Sequence, residues 1–305
     1  MQIGIDLGGS KIELAALDPQ GQRCYSQRVA TPAGDYLATV ESIIELVEAA
    51  EQELGQQGSV GICIPGTLSP DHGRVKNANS TCLIGQPLDL DLQHRLKRPV
   101  RLANDADCFA LSEAIDGAGK GAQTLFGVIL GTGVGGGIVH RQQLLSGPNR
   151  IAGEWGHNSL PWPTEEDLPA LPCYCGKRGC IETYLSGPGL AAHHQQRYDQ
   201  LLNAEELVRL AKSGDLQAQD SLGRYYDQLA RALAGVINLL DPEVIVLGGG
   251  LSNIKRLYSE IPSRWGDYVF SDRVNTQLVA AQHGDASGVR GAAWLWPPQD
   301  TSEYS

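Results

Sequence analysis

The chain has 305 residues, 42% of them hydrophobic and 19% charged, with 37 glycines and a formal net charge of −11. That is enough apolar material for one large or two medium domains with proper cores. No apolar run nears the ~18 residues of a membrane span, no basic and then apolar leader precedes Ile3, and the negative charge repels nucleic acid and anionic lipid. A cytoplasmic protein that binds neither nucleic acid nor membrane is expected.

Residues 2–7 and 12–17 read as two strands around Gly8-Gly9, and 23–30 as a third. From Asp35, a candidate cap, apolar residues recur with helical spacing at Leu37, Val40, Ile43, Ile44, Val47 and Leu54. Val60–Ile64 is a buried strand ending at Pro65-Gly66. Residues 100–103 form another, followed by Asn104-Asp105 and a helix to about 118. The order then restarts with a strand at 124–130, a glycine turn and a returning strand at 135–139. A loop-rich stretch spans 144–188. Helices follow near 203–213 and 215–240, then a strand at 244–247, a helix near 253–268, a strand at 278–281 and a last helix at 288–296. The final polar residues read as disordered. Strand, glycine turn, strand and helices, occurring twice, predict two α/β domains of related build, with a ligand in the cleft between them. Their expected limits are 1–118, with the terminal helix 289–297 packed back onto it, and 119–288, carrying a loop at 153–182.

Three glycine turns end apolar strands. "DLGGSK" sets Asp6, Gly8, Gly9, Ser10 and Lys11 at a hairpin; glycine lets backbone N–H groups approach an anion, and the hydroxyl and ammonium add donors. Asp6 suits a hydrated magnesium ion. The bland alternative is a tight hairpin with a solvated lysine. Gly131-Thr132-Gly133 and Gly248-Gly249-Gly250 repeat the theme, and the set favours a nucleotide polyphosphate such as ATP. Neither a P-loop nor a Rossmann fingerprint is present. Asn104-Asp105 reads as a helix cap, or as a base that takes the proton from a hydroxyl attacking phosphate.

Seven cysteines is an odd count, and three of them, Cys173, Cys175 and Cys180, fall within "PCYCGKRGC". With His157 of "GEWGHN" they make a tetrahedral zinc donor set. A Cys173–Cys175 redox pair is the alternative, although one intervening residue closes a strained ring. Zinc here would be structural, holding rigid the loop that carries Glu154 and Glu182.

Together these residues resemble the ROK family of sugar kinases, within the actin and hexokinase superfamily. The likeness rests on Asp6–Lys11, on E-x-G-H at Glu154, Gly156 and His157, and on C-x-C-G-x-x-G-C-x-E from Cys173 to Glu182. It implies an α/β, two-domain actin/hexokinase-like (ribonuclease H-like) ATPase fold with an inter-domain cleft, and a homodimer. It makes Asp105 the catalytic base and gives sugar contacts to Gly66, Asn79, Asn104, Asp105, Glu154, His157 and Glu182. His157 would turn one ring nitrogen to zinc and the other to sugar. ATP and Mg²⁺ would sit on the glycine turns, and transfer would be in line to the 6-hydroxyl of a hexose. The spacer of 15 residues between His157 and Cys173 and the ending "HGDASGVRGAAWLW" are most similar to the fructokinases, so D-fructose is the expected sugar. N-acetylglucosamine, mannose and glucose kinases are the alternatives. A sugar-sensing ROK repressor is disfavoured, because the phosphate motif starts at Asp6 and leaves no room for a DNA-binding domain. An actin-like ATPase is disfavoured by the cysteine loop and Asp105.

Overall fold

The computed structural model describes residues 1–78 and 80–297. Asn79 and the polar tail, expected at a sugar site and in a disordered end, lie outside the described residues. In chain order the elements are β1 (Gln2–Leu7), β2 (Lys11–Leu17), β3 (Arg23–Ala30), α1 (Tyr36–Leu54), β4 (Ser59–Ile64), β5 (Thr67–Leu68), β6 (Val75–Lys76), α2 (Leu88–Leu96), β7 (Val100–Asn104) and α3 (Asp105–Ile115). There follow β8 (Thr124–Leu130), β9 (Val134–His140), β10 (Gln143–Leu144), α4 (Glu182–Leu185), α5 (Gly187–Tyr198), α6 (Ala204–Lys212), α7 (Leu216–Leu240), β11 (Val244–Gly248), α8 (Leu257–Glu260), β12 (Gln277–Ala280) and α9 (Ser287–Trp294). Among the described residues no helix is long and apolar enough to cross a membrane.

The chain divides into two compact units. One comprises Met1–Gly121, Gly137–Ala152 and the chain from His283 onward; the other comprises Ala122–Gly136 and Gly153–Gln282. The segment 137–152, which the sequence reading places in the second domain, thus groups with the first, and β9 carries the chain from one unit to the other.

The first unit is built on a sheet of order β3-β2-β1-β4-β7. β1, β2 and β3 are joined antiparallel, whereas β1, β4 and β7 run parallel. Its core gathers Ile3, Ile5, Ile12, Leu14, Val60 and Ile62 with Val40, Ile43, Ile44 and Val47 of α1, all buried. α1 starts where the sequence predicts: Ala38 N–H donates to Asp35 Oδ1 at 3.0 Å, and Gly55 ends the helix at φ 65°. Leu37 stays 76% exposed, since it sits in the first turn, off the buried stripe.

α9 packs on β1, β4 and α3. The approach needs a bare backbone: a Cβ on Gly61 would stand 1.9 Å from Ala292 O. Asp116, after α3, gathers His283 Nε2 at 2.9 Å, Trp294 Nε1 at 3.1 Å and the Arg290 guanidinium, which ties α9 and the turn before it to the end of α3.

The second sheet has the order β10-β9-β8-β11-β12, and its parallel strands β8, β11 and β12 belong to the second unit. α7 supplies the largest apolar face, with Leu222, Tyr225, Leu229, Leu233 and Ile237 buried.

Three helices escape the sequence pattern, among them the single turn α4 inside the stretch read as loop. In α2, "LDLDLQHRL" alternates like a strand, but only Leu88 and Leu92, four apart, are buried. α5 opens on Gly187-Pro188, which reads as a loop, yet Pro188 occupies the first turn, where no donor is lost, and Ser186 caps it by accepting from Gly189 N–H at 3.1 Å. The long helix expected at 253–268 is broken into the short α8 and two 3₁₀ turns, because Pro262 disfavours helix at the preceding residue.

Candidate active site and metal centre

In the first unit the proposed groups lie at the carboxyl ends of parallel strands, the usual ligand side of such sheets. Asp6 of β1 pairs in register with Cys63 of β4, and Cys63 with Ala103 of β7. Asn104 takes the cap of α3, its Oδ1 accepting from Asp107 N–H at 2.6 Å. Asp105 is therefore not the cap. It is the first helical residue, its Oδ1 accepting from Ala106 N–H at 2.9 Å, which leaves the carboxylate available for chemistry. Much of its surface is open, but the protein around it removes enough water to raise its pKa, against the lowering effect of the Ala106 bond. Burial also raises Asp6, and Glu13 and Asp105 add to this, while Cys63 and Lys11 oppose it. Carboxylates that repel one another in this way suit a divalent cation.

The first glycine turn is closed by Gly8 N–H donating to Lys11 O at 3.0 Å and is braced by Thr31 Oγ1 donating to Gly8 O at 2.8 Å. Gly9, Ser10 and Lys11 are exposed. The Lys11 ammonium stands 3.9 Å from Glu13. Gly66 is tightly enclosed, a Cβ there falling 2.7 Å from Lys76 O.

In the second unit β8 and β11 are neighbours, so their glycine turns lie side by side. Gly249 has φ 80°, and a Cβ there would meet Leu130 O at 2.5 Å, whereas Gly131 and Gly250 face open space. A phosphate chain along such backbone meets N–H groups without side-chain obstruction.

Glu182, first residue of α4, accepts from Val134 N–H at 2.9 Å, so one of its oxygens is already committed to the 131–134 turn. Glu154 is exposed and His157 half-buried. Both are aimed by Trp155, which is 5% exposed, donates to Gly135 O at 3.1 Å and meets Phe126 edge-on at 5.4 Å. That anchor was overlooked in the sequence, although a tryptophan inside a polar motif was a visible signal.

His157, Cys173, Cys175 and Cys180 converge, each offering a ligand atom within 4.8 Å of the others. Cys175 Sγ and Cys180 Sγ are 3.6 Å apart, as are Cys173 Sγ and His157 Nδ1. A tetrahedron with zinc–donor bonds of about 2.0–2.3 Å has edges of about 3.5–3.8 Å, and these two pairs have that spacing. The cysteines are free, and 3.6 Å is far from the ~2.05 Å of a disulfide. Burial and the neighbouring thiols push the Cys180 thiol up to about 12. The loop is zipped by Leu160 N–H to Gly179 O at 3.0 Å and Ile181 N–H to Asn158 O at 2.8 Å.

His157 Nε2, expected to face a sugar, meets Tyr174 Oη at 2.9 Å. The spacer 158–172 is held from below by Asp167 and Arg231, 3% and 2% exposed and 2.9 Å apart. Arg231 also donates to Trp162 O at 2.7 Å, and Asp167 accepts from Gln228 at 2.9 Å and Thr164 N–H at 2.7 Å. The sequence reading missed this pair; its signal was a lone arginine in the apolar run "LARALAGV".

The family model for ROK proteins matches residues 2–299. The chain belongs to the ROK family. It is 42% identical over 299 residues to an N-acetyl-D-glucosamine kinase of Yersinia pseudotuberculosis, covering 97% of this chain and 98% of that protein. Among solved ROK structures it is similar to a hexokinase from Thermus thermophilus, with TM-score 0.86, 30% identity and 96% of each chain covered. It is also similar to a ROK glucokinase from Streptomyces griseus in complex with glucose and AMPPNP, with TM-score 0.74, 29% identity, and 96% of this chain and 98% of that one covered. The fold is thus the two-domain actin/hexokinase-like α/β fold of ROK hexokinases. The leaning toward fructokinases is not upheld: the curated relative described above, which matches along nearly the whole chain, is an N-acetyl-D-glucosamine kinase.

Proposed function

We propose that the chain is an ATP-dependent sugar kinase that phosphorylates the 6-hydroxyl of N-acetyl-D-glucosamine. The observation that carries the reading is the 42% identity to an N-acetylglucosamine kinase across 97% of the chain. The likeness to a glucokinase in complex with glucose and AMPPNP supports ATP as the donor. In this reading Asp105 accepts the proton of the sugar hydroxyl as it attacks phosphorus, and its raised pKa suits a base. Asn104, Glu154, His157 and Glu182, with Gly66 and Asn79, hold the sugar hydroxyls. Asp6 and the turn Gly8–Lys11 serve Mg²⁺ and phosphate, as do Gly131–Gly133 and Gly248–Gly250. His157, Cys173, Cys175 and Cys180 would hold a structural zinc ion, which bound there supplies rigidity to the loop and no open position for water.

The test is a coupled ATP-consumption assay against N-acetylglucosamine, fructose, mannose and glucose. The highest kcat/KM is expected for N-acetylglucosamine. A preference for fructose would restore the sequence-based expectation, and no turnover with any hexose would overturn the kinase reading.

A further inference from the structure

Tyr174 lies between two of the sulfur donors, in a turn closed by Cys173 N–H to Lys177 O at 2.8 Å and Gly176 N–H to Cys173 O at 3.0 Å. The turn leaves the residue 83% exposed, so burial does not explain where the ring lies. The hydroxyl reaches His157 Nε2 at 2.9 Å, and the two rings meet edge-on with centroids 5.0 Å apart at 86°. His157 Nδ1 faces Cys173 Sγ, the side on which a metal would bind. With that lone pair committed, the ring proton belongs on Nε2, and Nε2–H donates to the phenol oxygen. The phenol oxygen therefore occupies the ring nitrogen of His157 that the proposed function gives to the sugar.

We infer that the Tyr174 hydroxyl is a stand-in for a sugar hydroxyl: it holds the His157 N–H in place in the sugar-free protein and is displaced when sugar binds. The inference rests on the sugar-binding role proposed for His157, Glu154 and Glu182. It makes Tyr174 a positioning residue that competes with substrate, because the bond to His157 must be given up for the sugar to form its own. The exposed ring can swing into solvent without opening a core, since it has no buried packing to lose.

The test uses the full chain with its metal, and N-acetyl-D-glucosamine as the probe. Tyr174→Phe keeps the ring and removes the hydroxyl. Loss of one competing hydrogen bond is expected to tighten sugar about fivefold, read as Kd by calorimetry without nucleotide and as KM in the coupled assay. The kcat and the zinc content should match wild type. Tyr174→Ala should tighten sugar to the same degree, since the ring is not part of the competition. Weaker sugar binding by Tyr174→Phe would overturn the inference and make the hydroxyl a sugar ligand. Unchanged affinity would make Tyr174 an idle surface residue, and loss of zinc would make it a prop of the metal loop; either overturns the inference. A wild-type chain that binds none of the four hexoses overturns the kinase reading and the inference with it, and the wild-type arm reports this separately.

Discussion

The two units share a plan and differ in how they hold their functional groups. Each sheet has the same order, an antiparallel segment followed by parallel strands whose carboxyl ends carry the candidate residues. In the first unit the candidate base and the first phosphate turn stand directly on strand and helix ends, over a core where α9 packs backbone to backbone at Gly61. In the second, the sugar-binding candidates Glu154 and His157 belong to a long loop that runs up to the third, Glu182, at the start of α4. Trp155, the buried Asp167–Arg231 pair and the four metal-type donors hold that loop instead. A scaffold position is rigid because its neighbours are close-packed; a loop position is rigid only while its few specific ties survive. Damage to the first unit's site should therefore show as lost rate or nucleotide binding in a stable protein. Damage to the second should show as lost sugar affinity and stability together.

The largest effect is expected from Asp105→Asn, which should cut turnover by about 10³-fold with sugar Kd by calorimetry unchanged. Asn104 already caps α3, so the fold does not need the Asp105 carboxylate. Near-normal turnover would remove it from the base role.

Arg231→Met leaves Asp167 buried without its partner, and breaking such a pair costs about 3–5 kcal/mol. Calorimetric melting should show that loss, accompanied by a higher sugar KM. Adding Asp167→Leu to the same chain should recover much of the stability.

Cys175→Ser removes an exposed donor without opening a cavity. Elemental analysis should find well under one zinc per chain, with sugar KM raised several-fold and ATP KM near wild type. Zinc-free wild-type protein in which two of these thiols are oxidised would favour the redox alternative.

Gly9→Val tests the first turn from the other side of the comparison. A Cβ at Gly9 would meet nothing nearer than Ser80 Oγ at 3.9 Å, so circular dichroism should stay native while ATP KM rises about tenfold through blocked backbone approach. An unchanged ATP KM would count against phosphate binding there.

The smallest effect is one of pH. Burial alone would raise the Asp167 carboxyl, but hydrogen bonds from Arg231, Gln228 and Thr164 outweigh it and hold the group at about 2. Its unfolded value is about 3.9, so its contribution to stability is complete above about pH 4 and is lost as pH falls toward about 2. Denaturant titrations across that window should show a steeper loss in wild type than in Asp167→Asn.

What the sequence determined by itself was everything local and chemically loud. Period-2 and helical spacing placed most strands of both sheets as well as α1, α3 and α7, and Asp35 marked the start of α1. The short spacing of Cys173, Cys175 and Cys180 announced a metal-type loop, and glycines at strand ends announced sites of backbone approach. Tertiary structure alone decided the rest, because it depends on groups distant in sequence. Segment 137–152 groups with the first unit by contacts that no local pattern encodes. Asn104 takes the cap and releases Asp105, a division that adjacent, chemically equivalent cap formers leave open in sequence. Asp167 finds Arg231, 64 positions away, and Tyr174 meets His157 because the cysteine turn folds back on it. Periodicity reports which face of an element is apolar; which polar groups meet across the fold is set by how those faces pack.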